Sequence, residues 1–184
     1  MVLTKTPICN FGEKAKNFTL QSTENKKISL ENIKGENGTL IMFICNHCPY
    51  VKAVIKDIVE DVKFLENLGI KSAAIMSNDV NNYPEDSFEN MLSFSKLHEF
   101  SFPYLIDETQ KIAKEYGAVC TPDFFGYNKN LELQYRGRLR ELKDLKPVRK
   151  GDSDLKNAMK LVAKSGKGPP NQIPSMGCNI KWFK

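Results

Sequence analysis

Two cysteines separated by two residues, Cys45-Asn46-His47-Cys48, stand at a junction between two apolar patterns. Upstream, Thr39 to Ile44 is an apolar run of strand length; downstream, Val51, Val54, Ile55, Ile58, Val59, Val62 and Leu65 recur at helical spacing. Thiols one turn apart at a strand-to-helix junction can close a disulfide between themselves, which is redox chemistry. The spacing puts Cys45 at the helix start, where unpaired backbone N–H groups and the positive end of the helix dipole favour thiolate over thiol. Pro49, lacking an N–H, fits the first helical turn. Cys45 is therefore expected to be the more exposed and more acidic thiol, with a pKa in the range of about 3.5–7.5 known for helix-start cysteines. A protonated His47 would add positive charge beside it; the competing role for His47 is that of a solvated loop residue.

The other chemistry open to such a pair is metal binding. Soft thiolates suit Cu(I) and Zn, so a copper or zinc carrier built on Cys45, Cys48 and His47 is a distinct class. A structural zinc site needs four ligands, and Cys9, Cys120, Cys178 and His98 supply no second close pair. The expectation is a site without metal or other cofactor.

Around the thiols, Phe18-Thr19-Leu20 and Lys27-Ile28-Ser29 read as a small hairpin, and Leu30 to Ile33 as a short helix ending at Gly35. After the helix that follows the thiols, Gly69 is a stop and Lys71 to Met76 a second strand, so the unit is strand–helix–strand with parallel pairing and a right-handed crossover. Ser77 to Asn82 is a polar loop, and Tyr83-Pro84-Glu85-Asp86 opens a helix running to about His98, with acidic residues where the dipole favours them. Phe102 to Ile106 is extended, Asp107 caps a helix from Glu108 to Tyr116, and Gly117 ends it. Asp123 to Tyr127 and Leu131 to Arg136 form an antiparallel pair, Asp152 caps a last helix to about Ser165, and Gly166 to Lys184 is too broken for regular structure. The tail still carries Ile180, Trp182 and Phe183, which predicts that residues 166–184 dock on a single domain spanning 1–184.

A chain of 184 residues can bury roughly 70% of its unfolded surface in one core without disulfide staples. Five cysteines is an odd count that suits a reducing compartment, and neither a signal peptide nor a membrane span is evident, so a soluble cytoplasmic protein with no membrane partner is expected. The net charge of +5 is spread along the chain. Its one dense cluster, Arg136-Gly137-Arg138-Leu139-Arg140, lacks interleaved aromatics and any nucleic-acid motif, which argues against a nucleic-acid partner.

The Cys45-x-x-Cys48 site together with Thr121-Pro122 at the start of a later strand resembles the paired hallmarks of the thioredoxin superfamily, over nearly the whole chain. Gly12, Ala15, Phe18, Leu20, Leu30 and Gly35 resemble the start of redoxins of the alkyl hydroperoxide reductase/thiol-specific antioxidant type. Four motifs, Cys45 to Val51, Cys120 to Phe125, Tyr135 to Arg138 and Gly177 to Trp182, are similar to a peroxiredoxin-like subgroup of bacterial redoxins. The resemblance implies an α/β fold with a central mixed β-sheet flanked by helices, an N-terminal hairpin extension and an irregular C-terminal tail. It also implies a cis Thr121–Pro122 bond facing the thiols, with His47, Thr121 and Pro122 shaping a substrate groove.

True peroxiredoxins carry Pro-x-x-x-Thr-x-x-Cys and a distant arginine that holds the peroxide. With Cys48 at the peroxidatic position, Ile41 replaces the proline and Cys45 the threonine, while Arg136, Arg138 or Arg140 would have to supply the guanidinium. What survives is disulfide exchange. Cys45 attacks a substrate disulfide and Cys48 resolves it, with a disulfide-bearing protein or small molecule as substrate and an external thiol/disulfide pair as electron partner. Thiol peroxidase activity is the alternative. Cys120 is expected to pack beside the groove, and Cys178 to serve as packing or a subunit contact in preference to an extra resolving thiol.

Overall fold

The computed structural model describes residues 2–7 and 9–184. In chain order, β1 (Leu3–Lys5) precedes a hairpin of β2 (Thr19–Ser22) and β3 (Lys27–Ser29), then β4 (Gly38–Phe43), α1 (Pro49–Glu66), β5 (Ile70–Met76), α2 (Phe88–Leu97) and β6 (Tyr104–Ile106). There follow α3 (Lys111–Tyr116), β7 (Cys120–Thr121), β8 (Asp123–Asn128), β9 (Leu133–Tyr135), β10 (Leu142–Lys143), β11 (Lys146–Pro147), α4 (Asp154–Ser165) and β12 (Met176–Asn179).

A seven-stranded mixed sheet has the order β3-β2-β6-β5-β4-β8-β9. β4 and β5 pair in parallel, as do β5 and β6, whereas β4–β8, β8–β9 and both contacts of β2 are antiparallel. Every residue of β4 is buried, as expected of a central strand covered by helices on both faces. The period-two alternation of side chains splits it between two cores. Leu40 and Met42 join α1, Met91 and Phe94 of α2, and Leu155, Met159 and Val162 of α4. Ile41 and Phe43 join Phe18, Ile112, Tyr116, Phe125 and Ile180 on the opposite face.

The expected strand–helix–strand unit and the β2–β3 hairpin are present, and all the apolar residues read at helical spacing in α1 are buried. The starts of α2, α3 and α4 differ from those expected. Residues 84–86 form a separate short 3-10 turn, and α2 begins after Ser87, whose hydroxyl accepts from the Asn90 N–H. α3 begins at Lys111, after Gln110 in a left-handed conformation (φ 59°). Asp107 instead reaches across to accept from the Ala113 N–H and the Ser77 hydroxyl. α4 is capped by Ser153, whose Oγ accepts from the Lys156 N–H at 2.9 Å, while Asp152 pairs with Lys156 and Lys160.

The reading of residues 166–184 as wholly irregular is corrected over Met176–Asn179. That segment is a strand in a second, three-stranded sheet ordered β1-β12-β7, built from pieces two to four residues long. Its register sets Cys178 opposite Thr121 and Asn179 opposite Cys120. No helix among the described residues is long and apolar enough to cross a membrane.

Candidate active site

Pairing between β4 and β5 continues one residue past the strand, with the Ile44 N–H donating to the Ile75 carbonyl at 3.1 Å. The chain then turns through Cys45, Asn46 and His47 into α1. Pro49 occupies the first turn and Cys48 is the N-cap, with extended backbone angles (φ −64°, ψ 122°). The helix therefore starts three residues later than the spacing suggested, and its unpaired N–H groups serve Cys48, whose sulfur accepts from the Val51 N–H.

Both sulfurs are buried, each residue 0% exposed. The Thr121–Pro122 bond is cis, as expected. Thr121 lies against both thiols: its Oγ1 is 3.3 Å from Cys45 Sγ, and its carbonyl accepts from the Cys48 thiol at 3.2 Å. Cys178 Sγ is 2.9 Å from Cys48 Sγ. Three thiols thus meet at Cys48.

In this cluster a single negative charge sits best on the central sulfur. Hydrogen bonds from Cys45 first, then from Cys178, the Val51 N–H and the Thr121 hydroxyl, outweigh the opposing effect of burial and bring Cys48 down from 9.0 to about 5. Ionisation gives up the single proton that the Cys48 thiol can offer to the Thr121 carbonyl or to Cys178 Sγ, and leaves Cys48 as the acceptor in its contact with Cys178. Cys45 is held well above its ordinary value, because it lends its proton to Cys48 and is itself buried near the Asp86 charge. Cys178 is pushed up to about 12 by burial and by the same donation. Cys45 is thus not the more exposed thiol, since both are fully buried, and the hydrogen bonds favour the charge on Cys48 over Cys45.

A second cluster, centred on Asp86, shapes the loop between the cysteines. Asp86 is fully buried and accepts from the backbone N–H groups of Asn46 (2.8 Å) and His47 (3.2 Å), from Asn78 Nδ2 (2.8 Å) and from His47 Nδ1 (2.6 Å). Tyr104 donates to Asn46 Oδ1 at 3.0 Å and so closes the network. Burial opposes ionisation of Asp86, but its bonds from His47 and Asn78 prevail and lower its pKa. The Asp86 carboxylate raises His47 in return, against burial. His47 stacks on Tyr83 with ring centroids 5.7 Å apart, and its side chain, 16% exposed, is where solvent reaches the loop.

Ligand atoms of Cys45, His47 and Asp86 lie within 4.8 Å of one another. That set differs from the Cys45, Cys48 and His47 of the carrier reading, and its carboxylate is already occupied by four hydrogen bonds.

Of the other residues singled out, Pro122 borders a cleft of about 250 Å³ that also touches Tyr50, Val54, Arg138 and Leu139. The guanidinium of Arg136 pairs with Asp123 at 3.0 Å and donates to the Gly117 carbonyl, and Arg138 pairs with Asp154 and Glu141. Arg140 pairs with Asp57. These bonds go to carboxylates and carbonyls instead of Cys45 or Cys48, so the proposed arginine auxiliary is not assembled. Cys120 is buried, donates weakly to the Pro122 carbonyl at 3.7 Å, and has its pKa raised by burial.

Asp86, Asn78 and Tyr104 did not stand out in the sequence. Asp86 carried a sufficient local explanation as an acidic residue before a helix, and its partners lie forty residues upstream at Asn46 and His47.

The sequence model of the AhpC/TSA family matches residues 11–141. A solved structure described as an uncharacterized conserved protein from Geobacillus kaustophilus is 37% identical and superposes with a TM-score of 0.94, over 100% of this chain and 97% of that one. A hypothetical protein from Sinorhizobium meliloti is 33% identical with a TM-score of 0.90, over 98% of each chain. The thiol-disulfide oxidoreductase ResA of Bacillus thuringiensis is 26% identical over 127 residues, 69% of each chain. With well over half its length matched, and with a thioredoxin-like sheet carrying paired thiols opposite a cis-proline, this chain belongs to the AhpC/TSA family of the thioredoxin superfamily.

Proposed function

We propose that this protein is a thiol–disulfide oxidoreductase in which Cys48 is the attacking thiolate and Cys45 a resolving thiol. The observation that carries the reading is the Cys48 sulfur at the N-cap of α1, with a backbone N–H and neighbouring thiols donating to it. The Cys48 thiolate attacks one sulfur of a substrate disulfide, forming a mixed disulfide and expelling the other sulfur as a thiolate, which takes up a proton. Cys45 then loses its proton and attacks Cys48 Sγ. The remaining substrate thiolate leaves, and the two electrons that reduced the substrate come from formation of the Cys45–Cys48 bond. His47, held toward the protonated state by Asp86, is a proton source at the mouth of the loop. An external dithiol returns the enzyme to its starting state, consistent with work in a reducing compartment such as the cytoplasm.

Burial of both sulfurs favours small substrates over bulky folded proteins in the resting state, and it gives the peroxidase reading its support. In that reading a peroxide, smaller than any disulfide substrate, oxidises Cys48 to a sulfenic acid, which Cys45 condenses to the disulfide with release of water. Against it stands the pairing of the Arg136, Arg138 and Arg140 guanidinium groups with Asp123, Asp154 and Asp57, even though Arg138 and Arg140 line the cleft beside Pro122. One experiment separates the two: reduction of oxidised glutathione and consumption of hydrogen peroxide, measured under one reducing system for wild type, Cys45→Ser and Cys48→Ser. Disulfide turnover that Cys48→Ser abolishes supports exchange. Peroxide consumption that exceeds disulfide turnover, and disappears in the same variant, selects the peroxidase.

A further inference from the structure

We infer that Cys178 is a second resolving thiol, able to take the mixed disulfide from Cys48 and leave a Cys48–Cys178 bond. The inference rests on the reading of Cys48 as the attacking thiol.

Cys178 Sγ lies 2.9 Å from Cys48 Sγ, already in contact with the atom it would attack. The contact is built by tertiary structure over a separation of 130 residues. β12 pairs with β7 so that Cys178 faces Thr121, the residue that touches both members of the dithiol. Gly177 permits this approach, since a Cβ there would stand 2.0 Å from the Thr121 carbonyl oxygen and 3.2 Å from Pro122 Cδ.

The segment is fastened on both sides of the thiol. Before it, the Ser175 hydroxyl donates to the Pro122 carbonyl at 2.7 Å, and the Ser175 carbonyl accepts from the Thr6 N–H at 3.0 Å. After it, the Ile180 N–H reaches the Val119 carbonyl, and the Lys181 N–H donates to Asn78 Oδ1 at 2.9 Å, the same Asn78 that donates to Asp86. Cys178 is thereby held by the two structures that hold the dithiol, the cis-proline turn and the Asp86 cluster. Packing alone would be served by any small apolar residue at this position.

The step balances without a further reagent. From a Cys48–S–S–R mixed disulfide, Cys178 gives up its proton and its sulfur attacks Cys48 Sγ. The Cys48–SR bond breaks, RS⁻ leaves and takes the proton, and the Cys48–Cys178 bond forms. Starting from a substrate disulfide, the substrate gains two electrons and the Cys48 and Cys178 sulfurs together lose two.

The test is non-reducing peptide mapping of the full chain after brief treatment with oxidised glutathione and acid quench. Trypsin leaves Cys45 and Cys48 together in peptide 35–52 and Cys178 in peptide 168–181, so a Cys48–Cys178 bond is an inter-peptide link and a Cys45–Cys48 bond is internal. In wild type, the inter-peptide link is expected in appreciable yield. In Cys45→Ser, where Cys48 has lost its near partner, it is expected to become the main product. A wild type carrying only the internal bond, with Cys45→Ser stopping at a Cys48–glutathione mixed disulfide, would overturn the inference and leave the proposed function standing. If Cys48 takes up no glutathione in either protein, the proposed function itself fails, and the inference with it.

Discussion

Ionisation of Cys48 in the folded state makes the stability of the reduced protein depend on pH in a specific direction. A thiol depressed by folding contributes stability that is fully present above its unfolded value and is lost as pH falls through its folded value. For Cys48 these are 9.0 and about 5, so its contribution should grow from pH 5 to pH 9. At about 1.4 kcal/mol per pKa unit, the full displacement corresponds to at most about 5 kcal/mol. Cys45 and Cys178 share the charge of the cluster, and the expected gain is reduced accordingly to about 2–4 kcal/mol. The perturbation is Cys48→Ala, and the assay is urea unfolding of wild type and variant, both kept reduced, at intervals from pH 5 to pH 9. Subtracting the variant removes titrations common to both proteins. A stability difference that rises by 2–4 kcal/mol across this window is expected; one that stays flat, or rises only above pH 8, would refute a thiolate at Cys48.

Three further substitutions probe what surrounds the cluster. Asp86→Asn keeps one acceptor oxygen but turns a donor toward His47 and Asn78, and should cost about 2–4 kcal/mol by urea unfolding. The loss should be widest above pH ~4, where Asp86 is ionised, and below pH ~6.5, where His47 is charged even without its partner's help; it should narrow as pH rises through the raised His47 value. Arg136→Met leaves the fully buried Asp123 unpaired and should destabilise by about 3–5 kcal/mol in the same assay. Cys120→Ala, which removes a buried sulfur that bonds only weakly to the Pro122 carbonyl, should lower stability by about 1 kcal/mol and leave disulfide turnover near the wild-type rate. A turnover loss as large as that of Cys48→Ser would make Cys120 part of the chemistry.

The parts of the fold legible in the sequence are those whose evidence is local and repeated. The α1 face from Val51 to Leu65 is buried as its spacing implied, because a helix packed on a sheet needs a continuous apolar stripe. The apolar run ending at Ile44 is a central strand for the same kind of reason. β12 was not legible, since its four residues show no alternation of their own and their strand character comes from pairing with β1 and β7, more than fifty residues away. The N-cap position of Cys48 was in fact signalled. Proline is favoured at the first helical position, which makes the residue before it the N-cap; Pro49 therefore marked Cys48, whereas extending the helix back to Cys45 ignored that asymmetry. Asp86 was hidden by an adequate local reading, because nothing in Pro84-Glu85-Asp86-Ser87 announces hydrogen bonds to Asn46 and His47.

The central claim is that Cys48, and not Cys45, makes the first bond to substrate. The most direct measurement uses two double variants, Cys45→Ser/Cys178→Ser and Cys48→Ser/Cys178→Ser, each leaving one thiol of the dithiol without a resolving partner in the cluster. Both are exposed to limiting oxidised glutathione at pH 6.5 and followed by mass spectrometry of the peptide spanning residues 35–52. A glutathione adduct that accumulates rapidly on Cys48 in the first variant, and far more slowly on Cys45 in the second, is the predicted result. Faster capture at Cys45 would contradict the assignment and restore it as the nucleophile.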